Sequence, residues 1–88
     1  MSRPRALVLL NAAARHGRAG RLWERVSREV DERFEASPVP LDAEERWKTC
    51  VRAALHDGTR VFVAAGGDGT VHALAGAIAA ASARASSS

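Results

Sequence analysis

The chain has 88 residues, enough for one domain, and its 47% hydrophobic content excludes global disorder. No apolar run approaches the ~20 residues of a membrane span, and Ala6 to Leu10 is too short for a signal-peptide core, so a cytoplasmic location is expected. The formal net charge is +3, but it is unevenly placed: Arg3, Arg5, Arg15, Arg18 and Arg21 stand without any acid up to position 21, whereas residues 22–59 hold more acids than bases.

Only one of the 13 basic residues is a lysine, which reads as compositional bias, and no nucleic-acid partner is expected. Cys50 is the single cysteine, so an internal disulfide is excluded. It falls inside a helical pattern and is expected to be a buried structural thiol.

In chain order, Arg5 to Leu10 is a short continuous apolar run, the mark of a strand buried on both faces. Asn11 follows, then a loop of small and basic residues through Gly20. Leu22, Trp23, Val26, Val30 and Phe34 recur at helical spacing. The opposite face carries Glu24–Arg28 and Arg25–Glu29 pairs, each adding only ~0.2–0.5 kcal/mol. Pro38 and Pro40 break this helix, and a short segment around Val39 is predicted as an irregular edge strand. Trp47, Cys50, Val51, Ala54 and Leu55 give the next amphipathic helix, stopped by Gly58. Arg60 to Ala65 is the second clear buried strand. A last helix is predicted through about Ala81, followed by a disordered Ser/Ala-rich tail over 82–88.

This alternation predicts an α/β fold: a three-layer, doubly wound parallel sheet with right-handed crossovers. Both strong strands end in a loop that starts a helix, at the carboxyl edge where open α/β sheets take ligands.

The stretch with the most chemistry is Gly66-Gly67-Asp68-Gly69-Thr70, between the second strong strand and the last helix. Its glycines permit positive φ and let an anion approach the backbone, and the helix start adds a positive dipole end. Thr70 can cap the helix or donate to a phosphate. Asp68 places a carboxylate beside that anion, which is unfavourable unless it serves a metal ion, a hydroxyl or a base. Two roles follow: Mg²⁺ coordination through water, or deprotonation of an acceptor hydroxyl. A plain glycine turn with Asp68 as a helix cap is the competing reading. The Rossmann fingerprint fails at His72, and a P-loop fails for want of a Gly-Lys-Ser/Thr segment.

With Ala65 through Thr70 after an apolar strand, and an Asn-led loop after the first, the chain resembles the diacylglycerol kinase catalytic domain family over about residues 5–80. The resemblance implies ATP-dependent phosphorylation of a diacylglycerol-like lipid hydroxyl with Mg²⁺, and the peripheral membrane contact that a lipid acceptor requires. Asn11, Ala12, Ala13, Ala14 and Arg15 match the family's first nucleotide loop. Gly66, Gly67, Asp68, Gly69, Thr70, Val71 and His72 match the second, with Asp68 implicated in metal handling and catalysis. Arg18 joins Arg15 on the ground of charge and position alone.

The chain also departs from the family pattern. Ala12 replaces a proline and Arg15 a glycine; Leu41 and Asp42 stand where a threonine is usual, and Ala73 where an acid is common. Residues 1–81 are therefore expected to form the truncated N-terminal, nucleotide-binding half of a lipid kinase-like domain, inactive alone because half of the cleft is missing. Two other readings stay open: a non-catalytic nucleotide-binding or assembly remnant that could form a homodimer, and an NAD kinase-like phosphotransferase.

Overall fold

The segment Arg5–Leu10 forms a central strand, β1, flanked on both sides by parallel neighbours. That placement explains its near-continuous apolar run: Ala6, Leu7, Val8 and Leu9 are all buried, since both faces and both edges are covered. The computed structural model describes residues 3–14, 16–42 and 44–87. In chain order the remaining elements are α1 (Arg18–Arg33), β2 (Glu35–Pro40), α2 (Glu44–His56), β3 (Val61–Ala65) and α3 (Asp68–Ser87).

The sheet order is β2-β1-β3. Leu7 pairs with Phe62 and Leu9 with Ala64 across β1–β3, and these residues share the face covered by α2 and α3. The main core lies there: Leu7, Leu9 and Val39 from the sheet, Trp47 and Val51 from α2, and Leu74 from α3. Val8 and Val63 point to the other face, where α1 lies and a groove lined by Leu22, Val63 and Ala65 separates it from β3. The result is the expected three-layer α/β arrangement, α1 on one side and α2 with α3 on the other.

Local chemistry accounts for most boundaries. Gly58 takes φ +89 just past α2, and Thr59 N–H donates to Ala54 O at 2.9 Å, closing the helix as the sequence predicts. α1 ends at Arg33, one residue before the predicted Phe34, which is extended with φ −132. β2 begins at Glu35, earlier than the predicted segment around Val39, because Glu35 N–H is already engaged by Pro4 O at 2.8 Å. α3 runs past Ala81 to Ser87, through the stretch read as a polar tail; its alanines are the strongest helix formers. Ser88 lies outside the described residues.

The two faces are unequal. α2 and α3 bury Trp47, Val51 and Leu74, whereas in α1 only Ala19 is fully buried and Leu22, a predicted core position, is 57% exposed. Cys50 is a free thiol packed half-buried against the main core. Among the described residues no helix is long and apolar enough to cross a membrane.

Candidate functional site

β1 and β3 are neighbours, and the helices that follow them lie on opposite faces of the sheet. Such a switch opens a crevice at the carboxyl ends of the two strands. Two loops meet there. Asn11 N–H donates to Ala65 O at 2.8 Å, extending the β1–β3 ladder one step past Leu10 and fastening the first loop to the second.

Gly66 sits at the centre of this junction. A Cβ built on it would come 2.3 Å from Thr70 Oγ1, 3.0 Å from Thr70 Cβ and 3.1 Å from Asn11 Cβ. No side chain fits at those separations, so the glycine provides room for the first turn of α3 to close over the strand end. This corrects the reason given by the sequence. Gly66, Gly67 and Gly69 do not adopt positive φ; among the described residues only His16, Gly17 and Gly58 do. Gly67 and Gly69 face open space, with nothing within 4 Å of where a Cβ would stand. The motif uses small size for close packing and for access to the backbone.

Thr70 is 2% exposed, and its Oγ1 is buried without a hydrogen-bond partner among the described residues. An orphaned buried hydroxyl costs about 1–3 kcal/mol unless something in the working protein satisfies it. Thr70 N–H and Val71 N–H turn back to Gly67 O at 3.0 and 3.3 Å. The amides of Gly67, Asp68 and Gly69 donate to no backbone carbonyl of a described residue, as expected for an open first helical turn. Asp68 is exposed at that turn, beside the positive end of the helix dipole.

The first loop is wound tightly. Ala14 N–H donates to Asn11 O at 3.0 Å, and Gly17 N–H to Ala13 O at 3.2 Å. His16 and Gly17 take φ +58 and +87, and Gly17 is the N-cap of α1. Arg15 lies outside the described residues. Gly20, which the sequence placed in the loop without a site role, stands in the first turn of α1 against Ala12: a Cβ there would stand 3.1 Å from Ala12 O and 3.2 Å from Ala12 Cβ. The Gly17-x-x-Gly20 spacing was the available signal. Arg21 was also missed. Its Nη1 lies 3.1 Å from the Gly17 Cβ position, and with Arg18 and Gly66 it lines a groove of about 610 Å³ between α1 and β3.

Asn11, Gly66 and Thr70 therefore converge, and Gly67 to Gly69 extend from the same point. Val71 is exposed on the flank of α3, and His72 lines a separate groove between α2 and α3 with Lys48 and Arg52. Among the described residues no three His, Cys, Asp or Glu side chains cluster to hold a metal ion, so Asp68 is the sole acid of the second loop.

The sequence profile of the diacylglycerol kinase catalytic domain matches residues 5–87. The chain belongs to this family. It is a family of kinases, and the match takes in both loops and all six secondary-structure elements. Comparison with individually curated proteins gave no match.

Proposed function

We propose that this chain is the nucleotide-binding part of a lipid kinase, taking the phosphates of ATP at the carboxyl ends of β1 and β3. The single observation that carries the reading is the orphaned Thr70 hydroxyl, buried where Asn11 and Gly66 meet at the start of α3. A phosphate oxygen reaching this turn gives that donor an acceptor, and the amides of Gly67, Asp68 and Gly69 add three more donors with the helix dipole behind them. Asn11 and the Ala12–Ala14 backbone form the facing side, and Arg18 and Arg21 supply positive charge.

A lone carboxylate fits Mg²⁺ held chiefly by the nucleotide, since that ion keeps several waters and takes few protein ligands. Asp68 would hold it through water, and the ion, when bound, offsets the charge of the phosphates. Alternatively Asp68 Oδ takes the proton from the acceptor hydroxyl of a diacylglycerol-like lipid. Val71 and His72 lie at the rim in this reading. The lipid would reach the crevice from a membrane surface touched peripherally.

Phosphoryl transfer depends on positioning and on excluding water. Nothing lies within 4 Å of the Gly67 or Gly69 Cβ positions, so a nucleotide at this turn would be held by these residues from one side. The chain alone is therefore expected to bind nucleotide and transfer phosphate poorly. That same open side favours a second reading, a non-catalytic nucleotide-binding module.

Calorimetry with Mg-ATP tests the binding step, with Thr70→Val and Asp68→Asn alongside. Binding by the parent chain and about tenfold weakening in Thr70→Val is expected, the loss of one hydrogen bond to a charged group. Phosphate transfer to diacylglycerol, with NAD as the control acceptor, separates the catalytic readings. No binding by the parent chain would sink the proposal.

A further inference from the structure

The groove between α2 and α3 has a volume of about 480 Å³, the size of a small-molecule site. α2 packs on β1 and β2, and α3 on β1 and β3, so the groove runs above the central strand. Both helices begin at the carboxyl edge of the parallel sheet and run back along it, so they point the same way.

The α3 wall is made of Ala73, Gly76, Ala77, Ala80 and Ala81, which share one helical face. Gly76 is the informative member. A glycine inside a helix is destabilising relative to alanine, and alanine fills most of α3. Gly76 does not take a positive φ, and nothing lies within 4 Å of where its Cβ would stand. Neither backbone geometry nor packing against the described residues requires it. Its effect is to leave the groove wall bare.

The α2 wall carries the charge. Lys48 and Arg52, one turn apart, are both half-buried, with their stems along the groove. Lys48 Nζ stands 5.8 Å from the centre of the buried Trp47 ring, which contributes to the floor. Arg52 Nη2 donates to Thr49 Oγ1 at 3.1 Å, and Thr49 Oγ1 donates to Glu45 O at 2.7 Å. This relay holds the guanidinium along α2 while using one N–H of its fork. His72 stands opposite, on the first turns of α3. The one acid in the lining is the exposed Glu45.

We propose that the α2–α3 groove binds a single-chain anionic amphiphile, a carboxylate or phosphate carried on one alkyl chain. Charge complementarity selects the head, which Arg52, Lys48 and His72 meet from two sides. The alkyl chain follows the bare wall toward Ala80 and Ala81. From His72 to Ala81 the helix extends about 14 Å, enough for an extended chain of about ten carbons. The site is separate from the glycine turn and does not rest on nucleotide binding.

Decyl phosphate, titrated below its micelle concentration and followed by amide NMR, is the probe. Shifts should fall on residues 48–52 and 72–81. Inorganic phosphate and decanol, which each lack half of the ligand, should bind at least tenfold more weakly. Gly76→Leu fills the groove and should abolish binding without lowering the melting temperature, since nothing obstructs the new side chain and leucine is a strong helix former. Ala80→Met repeats the occlusion if Gly76→Leu disturbs folding, with circular dichroism as the check. Arg52→Gln should weaken binding about tenfold, the loss of a hydrogen bond between charged groups. No binding of decyl phosphate would overturn the proposal, as would binding indifferent to both occluding variants. Equal affinity for inorganic phosphate or for decanol would remove the chain or the head from the argument and overturn it too. Shifts confined to residues 66–70 would assign the phosphate to the glycine turn instead.

Discussion

β2 and β3 are both edge strands of the same three-stranded sheet, yet they meet solvent in opposite ways. β2 is Glu35-Ala36-Ser37-Pro38-Val39-Pro40, polar and interrupted, with a single fully buried side chain, Val39. β3 is Val-Phe-Val-Ala-Ala, apolar throughout, with Val63 partly exposed. A strand that ends a sheet permanently can discard its outward donors. A strand that keeps them, and keeps apolar neighbours on both faces, can take a further strand of the sheet. The difference also assigns places: β2 is closed to further pairing by its prolines, and β3 leads into the glycine turn of the candidate site.

The largest expected effect comes from erasing the contrast. Pro38→Thr combined with Pro40→Thr restores two outward N–H groups to β2, each able to form a hydrogen bond of about 1 kcal/mol with another strand. Self-association through that edge should tighten roughly 30-fold. Sedimentation velocity over a concentration series checks this; an unchanged size distribution would mean that the prolines are not what protects β2.

A second substitution tests whether the carboxyl end of β3 has any freedom left. Gly66→Ala forces a methyl group to within 2.3 Å of Thr70 Oγ1, against Asn11 Cβ on the other side. Overpacking of this kind costs about 1–3 kcal/mol. Gly67→Ala, facing open space, should cost far less. Thermal denaturation of the pair separates the packing role of one glycine from the access role of the other. Equal losses would contradict the geometry.

Much of this was legible in the sequence. The buried strands β1 and β3 followed from continuous apolar runs, and α2 from its periodicity and Gly58. The edge position of β2 followed from its prolines. What was hidden depends on contacts between distant segments. The glycine motif looked like a set of positive-φ positions, but Gly66 is required by Thr70 and Asn11, and no local pattern reports a contact across two loops. Leu22 fits the helical stripe of α1 and is nevertheless exposed, on the rim of the groove between α1 and β3. His72 belongs to the motif in sequence and to the α2–α3 groove in space, since residues four apart on a helix share a face and that face turns toward α2.

The exposed apolar side chains give a finer test. Leu22→Ser and Val71→Ser each remove a side chain that is more than half exposed, so stability should stay within about 0.5 kcal/mol. Thermal denaturation reads both, and a larger loss in either would return that side chain to the fold.

The smallest effect is confined to one atom, and it extends the comparison to the carboxyl ends of the two edges. Past β2, Leu41 N–H is satisfied by Leu10 O at 2.9 Å, and the chain leaves the sheet. Past β3, Thr70 Oγ1 is buried with no partner among the described residues. Replacing that hydroxyl by a methyl in Thr70→Val removes the cost of an unsatisfied polar group, so the free protein should gain about 1 kcal/mol. In a domain of this size that raises the melting temperature by about 4–8 °C. Mg-ATP should then stabilise the variant less than it stabilises the parent, because the ligand has lost a donor and binding stabilises only in proportion to affinity. Opposite signs in the free and ligand-loaded melts are the signature of a hydroxyl kept for a ligand. A variant that loses stability in both would place Thr70 in the structural framework of the turn.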